Sequence, residues 1–486
     1  MCVKECFNCE KKKYELVAPD GGWGYMIALA VIIIMSTSTA FISSYGLLYK
    51  EFLQDIGRSS TNASMMCGLS AICTAIAGFL TSPLLTIMSL RILTLAATLV
   101  FNTGVICIFF VKSVFTFHLC HGILQGLGFG VLYNLSCTVL NEYFVKRRLM
   151  AISLVQSIVA VILMIAPLFV KWSLVKYGYR DTILIMSGLT LHNFIAVALI
   201  QPVNRHMKRI EIPDSNNEKL LHDKKLNEEA SVAIVPIIRL TNTDGNFSNP
   251  NEKMYLASEE DESGGLNFKK IFDYLVDKSL REEFLMSCVC AGPALAMFAD
   301  TTYSSILPEA LFITGWMQDN IALAQSLYGF GDLAMRALFA VLSNWLLKLG
   351  SQEIYVLGVT LGLVSRLGML WSKSFIAKMI YIPLVGASHC AVTILIPLVV
   401  ADAVAPEKFT AALGMLMMLS GLVNLVLGYA IGAVRELSES YGPVFYLIAS
   451  CFAMIVLFWS IELCYKRNKH KRLQRREYLR KKKLNK

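Results

Sequence analysis

The chain has 486 residues, 55% hydrophobic and 16% charged, with a mean hydropathy of +0.56 and a formal net charge of +10. Soluble globular chains carry about 25% charged residues, so these figures exclude a soluble enzyme or binding module and describe an integral membrane protein. The apolar residues come in blocks of about the 20 that a spanning helix needs, not in ten-residue alternating strands, which makes the fold all-α.

In chain order, residues 1–23 form a polar N-tail with Cys2, Cys6 and Cys9 beside Lys11, Lys12 and Lys13. No zinc-like ligand spacing is present there. Unmodified thiols or reversible palmitoylation are the two readings of the cluster. The start is polar, and no small-residue cleavage site follows the first apolar run, so no cleavable signal peptide is expected. Cysteines inside the apolar blocks behave as small apolar residues, without the spacing of a disulfide framework.

Twelve spans follow, at about 24–49, 62–86, 90–111, 115–140, 149–172, 181–201, 284–312, 321–347, 352–371, 375–400, 409–434 and 443–465. The expected organisation is a six-helix bundle over 24–201, a linker over 202–283, a second bundle over 284–465, and a basic tail over 466–486. The linker is rich in Asn, Glu, Lys and Asp and reads as largely disordered, with a short amphipathic helix at Leu266–Leu275. With both termini placed in the cytoplasm, 34 of the 45 Lys and Arg lie on that side and nine on the other. That asymmetry sets the orientation. A basic run next to a last span meets anionic lipid, so membrane lipid is the expected partner of the tail and nucleic acid is not.

The halves echo each other, as in carriers built from repeats. Tyr177-Gly178-Tyr179 before span six matches Tyr441-Gly442-Pro443 before span twelve. Glu142 to Ala151, between spans four and five, matches Asp402 to Ala411, between ten and eleven. Each segment ends one helix on an acid and opens the next near a base.

Several charges fall inside spans, where they are costly unless paired or wet and so mark function by default. Asp332 and Arg336 in span eight are four apart and share a helix face. Arginine keeps its charge and fits a carboxylate with a planar fork. An incoming anion would compete with Asp332 for that fork, and protonation of Asp332 would release it. A permanent intrahelical salt bridge is the competing reading. Asp300 near mid-span seven is a cation site, a partner for Arg366 of span nine, or a residue of a wet cavity. Arg366 suits a structural pair or an outer gate, and His389 in span ten is a proton relay or a hydrogen-bonded packing residue. His118 and His121 lack carboxylate or cysteine partners nearby, so no metal is expected. Gly122, Gly126, Gly128 and Gly130 in span four mark close helix packing. Arg91, Lys146, Arg147 and Arg148, near Glu142 and Asp402, are gate pairs or simple topology signals. Asn62-Ala63-Ser64 is a glycosylation sequon set very close to span two.

Ala18-Pro19-Asp20-Gly21-Gly22-Trp23-Gly24-Tyr25 resembles the signature that opens the monocarboxylate transporters, which usually carry Trp at the last position. Glu142-Tyr143-Phe144-Val145-Lys146-Arg147-Arg148-Leu149-Met150-Ala151 is similar to their second signature, although Ser153 and Ile158 stand where that pattern has glycines. Asp332 and Arg336 look like the family's eighth-helix pair, and Asp402 with Glu407-Lys408-Phe409-Thr410 and Ala412-Leu413-Gly414 extends the match. The resemblance covers both halves and stops at the tails and linker. It implies a twelve-helix major facilitator fold of two pseudo-repeats, with substrate between the halves near the midplane.

The family's lactate carriers have a lysine past the middle of the first helix; here that position is Ser43. Without that second positive charge and titratable amine, the resemblance is to a member lacking the first-helix lysine. Such branches are similar to carriers of aromatic amino acids, thyroid hormones or carnitine-like molecules. The expectation is a plasma-membrane secondary carrier of a small organic anion or zwitterion, with Arg336, Asp332 and Ser43 as substrate residues. It has no cofactor beyond a candidate co-transported proton, and an ancillary single-span glycoprotein is a candidate partner. A transporter-fold sensor without transport is the alternative. No clustered His, paired carboxylates or nucleophile–base set points to an enzyme.

Overall fold

The computed structural model describes residues 14–43, 61–111, 113–211, 280, 284–285, 287–346, 348–438 and 440–484. The principal helices are α1 (Trp23–Ser43), α2 (Thr61–Ile87), α3 (Leu90–Cys107), α4 (Gly126–Tyr143), α5 (Arg148–Thr190) and α6 (Asn193–Leu199) in the first half. The second half holds α7 (Cys288–Ile313), α8 (Gln318–Leu346), α9 (Ser351–Trp371), α10 (Phe375–Ala403), α11 (Phe409–Ser438) and α12 (Gly442–Leu484). The amphipathic helix expected at Leu266–Leu275, the N-tail cysteines and the Asn62 side chain lie outside the described residues.

Among the described residues, eight helical stretches are long and apolar enough to cross a membrane, and one of them, Arg148–Leu199, runs for 52 residues. That stretch holds two spans. Gly178, at φ 76°, is the one residue of α5 with non-helical dihedrals. A left-handed backbone suits glycine, which has no Cβ to clash, so one residue makes the corner. Ser173 and Thr182, hydroxyl to hydroxyl at 3.0 Å, close the hairpin across it. Helix α1 is apolar but shorter, while α7 and α8 fall outside the apolar set. Those two carry Asp300, Asp332 and Arg336. The polar cost is concentrated where the two functional candidates sit.

Each half buries its own core. One cluster gathers Ile27, Phe101, Leu135, Tyr143 and Ile183; the other gathers Phe298, Tyr355, Leu395, Phe452 and Trp459. Leu149 and Ile152 of α5 belong to the second cluster, so α5 is shared between bundles. In lipid the apolar effect does not drive helices together, so small residues permit close approach instead. A Cβ on Gly414 of α11 would lie 2.6 Å from the Gly78 carbonyl of α2, and one on Gly421 would lie 2.6 Å from Ala75 Cβ.

Two features depart from a plain twelve-helix reading. Span four begins with a short helix, Val114–Phe117, followed by a π-helical stretch, His118–Gln125, before α4. There His121 Nδ1 is bonded to Gln125 Oε1 at 2.9 Å, which ties the ring within its own helix. A short antiparallel ribbon also pairs β1 (Tyr14–Val17) with β2 (Lys208–Glu211). The N-tail is thereby joined to the first residues after the sixth span. At the other terminus, α12 carries straight on from its span into the basic tail.

Candidate functional site

Helices α8 and α10 cross with almost no space between their backbones. A Cβ on Gly331 would meet the Pro383 carbonyl oxygen at 1.9 Å, and one on Gly386 would meet the Tyr328 carbonyl at 2.0 Å. Only glycine fits at either place. This contact holds Tyr328, Asp332 and Arg336 on α8 beside His389 on α10, where the Tyr328 and His389 rings lie 5.8 Å apart.

Arg336 Nε donates to Asp332 Oδ2 at 2.9 Å, the i,i+4 geometry of one helix face. Its Nη1 reaches Gln156 Oε1 on α5 at 3.5 Å, across the seam between halves. Asp332 Oδ1 is buried and accepts no hydrogen bond among the described residues. A buried carboxylate oxygen without a donor costs about 1–3 kcal/mol or more. The pair is therefore incompletely satisfied, at a place where both bundles can touch one ligand.

One layer away, α7, α9 and α10 converge on a second set of charges. Asp300 bonds Arg366 Nη2 through one carboxylate oxygen and His389 Nδ1 through the other. Arg366 also donates through Nη1 to Ser388 Oγ at 3.0 Å and to the Gly362 carbonyl at 3.1 Å. Its guanidinium lies between the Tyr303 ring at 4.8 Å and the Phe452 ring at 4.1 Å. Asp300 is 0% exposed and Arg366 1%. Of the alternatives left by the sequence for Asp300, the structure takes the pair with Arg366. Arg366 is sealed among aromatic rings and lines no path, whereas the His389 side chain keeps 23% of its exposure.

The remaining singled-out residues gather at the end of the bundle that carries both termini. Asp20, at φ 45°, accepts backbone N–H bonds from Val145 (2.8 Å), Lys146 (2.9 Å) and Arg147 (3.3 Å), and its own N–H meets the Tyr143 carbonyl at 3.1 Å. Gly21 (φ 156°) and Gly22 (φ 59°) make the turn that follows. Trp23 Nε1 donates to the Leu199 carbonyl at 3.3 Å, and its ring stacks on His206 at 5.2 Å. Arg91 donates to the carbonyls of Ile200 (2.7 Å) and Ala198 (3.4 Å). A base on the last carbonyls of a helix is favourable, and that is where Arg91 sits, instead of opposite an acid. These contacts all stay within the first half, so the opening signature ties that half together rather than bridging to the other.

The bridge between halves comes from other residues. Arg148 Nη1 lies 3.5 Å from Asp402 Oδ1. Asn134 Nδ2 donates to the carbonyls of Gly78 (2.8 Å) and Thr410 (3.2 Å), and Thr138 Oγ1 is 3.0 Å from Thr410 Oγ1. Asn134, Thr138 and Gln156 were not picked out from the sequence; a lone amide or hydroxyl in an apolar block is the one signal that they carry. Lys146 and Arg147 are exposed, Glu142 is half-buried in the last turn of α4, and Lys408 closes the turn before α11. The Ser43 side chain, at the end of α1, lies outside the described residues.

Two bundles of apolar helices meet at an incompletely paired arginine, and the comparisons place this arrangement among known folds. The sequence profile of the Major Facilitator Superfamily matches residues 27–241. A fucose:proton symporter of E. coli has the same fold at a TM-score of 0.57, with 12% identity over 90% of this chain and 98% of that one. The chain thus has the major facilitator fold, with the apolar helices of a multi-pass membrane protein. More particularly, it is related to the monocarboxylate transporters. Mouse monocarboxylate transporter 6 is 22% identical over 88% of this chain and 84% of its own length, and bovine monocarboxylate transporter 1 is 24% identical over 90% and 84%.

Proposed function

We infer that the protein moves a small organic monocarboxylate across the plasma membrane by alternating access, with Arg336 receiving the carboxylate. The observation that carries this reading is the geometry of Arg336 itself. Asp332 takes one side of its fork at 2.9 Å, and the other side reaches Gln156 of the opposite half at a long 3.5 Å. A carboxylate would replace the weaker contact with a charged, two-point one. It would thereby touch both halves at once. The Arg148–Asp402 and Asn134–Thr410 contacts hold the terminus end closed in the form described, and they must part for release there.

A second reading is favoured by the buried, donorless Asp332 Oδ1. A zwitterion would bring its carboxylate to Arg336 and its ammonium to that oxygen. The serine in place of the first-helix lysine supports it. With both termini in the cytoplasm, the closed end faces inward.

Uptake of labelled lactate, tryptophan and carnitine by cells expressing wild type or Arg336→Ala tests both. Uptake of at least one probe, abolished by the substitution, is the expected result. Uptake of none, or undiminished uptake without Arg336, contradicts the reading; preference for tryptophan over lactate selects the zwitterion.

A further inference from the structure

We propose that His389 is the proton-binding residue of this carrier, taking a proton on Nε2 together with the substrate anion. The inference rests on the carboxylate reading of Arg336. The group lies on α10, not on α1 where the resemblance implies a titratable amine and this chain has Ser43.

Charge is counted first. Facing His389 are Asp300 of α7 and Tyr328, Asp332 and Arg336 of α8; Arg366 and Tyr355 of α9 lie about Asp300, Tyr303 of α7 lies on Arg366, and Cys390 is its own neighbour on α10. Two aspartates offset two arginines. With a neutral imidazole the region is neutral. A monovalent substrate anion at Arg336 leaves it with one uncompensated negative charge inside the membrane, which is costly. One proton at the same site restores neutrality. Proton and anion therefore favour each other, and reciprocally by the same factor.

Chemistry then selects the atom. Asp300 is held by the Arg366 guanidinium, so its carboxylate accepts only. The histidine must donate to it from Nδ1. In a neutral ring the hydrogen is then on Nδ1, and Nε2 keeps a lone pair. Nε2 has no hydrogen-bond partner among the described residues. Access singles out the same ring. Asp300 is 0% exposed and the Arg366 side chain 1%, but the His389 side chain is 23% exposed. Asp300 and Arg366 orient the imidazole without receiving the proton. Once protonated, His389 stands beside Asp332 with a positive charge that competes with Arg336 for that carboxylate. Arg336 is then freer to hold the substrate.

The test uses the full chain in proteoliposomes, with labelled lactate, tryptophan and carnitine as probes. The vesicles are held at about pH 8 inside and about pH 6 outside, so that protons are driven inward. Wild type is expected to accumulate lactate, the anionic probe, about tenfold or more, since two pH units allow up to about 100-fold for one proton per anion. An internal pH dye should report acid entering with the probe. His389→Gln keeps an N–H for Asp300 but has no proton site. It should lose accumulation and also the faster exchange that wild type shows at about pH 6 over about pH 8; His389→Asn should do the same, and melting curves establish that each variant is folded. Accumulation by His389→Gln equal to wild type overturns the proposal. So does a wild type that exchanges lactate but never accumulates it under the gradient, or that exchanges only the neutral zwitterions, whatever the variants do. A wild type that exchanges none of the probes instead overturns the transport reading, and this proposal with it.

Discussion

Two arginines lie within spans of the second half, and they are treated very differently. Arg366 is enclosed: Asp300, Ser388 and the Gly362 carbonyl take its fork, and two aromatic rings cover its faces. Arg336 is buried too, but its partners are one carboxylate oxygen and one distant amide from the other half. Arg366 Nε has no partner among the described residues, but two aromatic rings and the helices of its own half close it off. Arg336 stands at the seam between the halves, with one contact to the other side. Enclosure, not burial, separates the two arginines.

The largest effect should come from breaking the enclosed set. Arg366→Met leaves Asp300 buried without its cation, at a cost of about 3–5 kcal/mol. The thermal midpoint of the purified full chain should fall sharply. Gly386→Val comes next, because its Cβ would sit 2.0 Å from the Tyr328 carbonyl. Helices α8 and α10 would have to part, costing about 1–3 kcal/mol and moving Asp332 away from His389. Transport should drop more than stability does, read from uptake and melting on one preparation. The smallest effect is expected at the terminus end. The Arg148–Asp402 pair is 9% and 29% exposed in its side chains, so its loss should cost about 1 kcal/mol or less. In Arg148→Ala, hydrogen exchange over Ala75–Gly78 and Thr410–Gly414 should quicken by up to roughly fivefold. The reversed pair, Arg148→Asp with Asp402→Arg, should restore it.

Much of the architecture was legible because lipid forces regular signals: apolar blocks of spanning length, and charges that stand out within them. The Asp332–Arg336 contact was legible because helical periodicity alone places residues four apart together. Its companions were not. Gln156 meets Arg336 only through the packing of α5 on α8, and nothing local in the sequence records that crossing. The link from Asp300 to Arg366 and His389 joins three helices, so the sequence left it among open alternatives. Asp20 and Trp23 stood out as part of the opening signature, and Arg91 as a gate residue or topology signal. Their real partners are backbone carbonyls and amides of the first half, which carry no sequence identity to read. The β1–β2 ribbon joins two four-residue strands nearly two hundred residues apart, too short to show a strand pattern.

The central claim is that Arg336 binds the substrate carboxylate. Exchange of labelled lactate, tryptophan and carnitine across proteoliposomes, at equal amounts of folded wild type and Arg336→Ala, tests it most directly. Losing a buried charged partner costs about 2–5 kcal/mol in binding. The account predicts that exchange falls at least roughly 30-fold while the melting midpoint moves less than it does in Arg366→Met. Exchange by Arg336→Ala at the wild-type rate would contradict it.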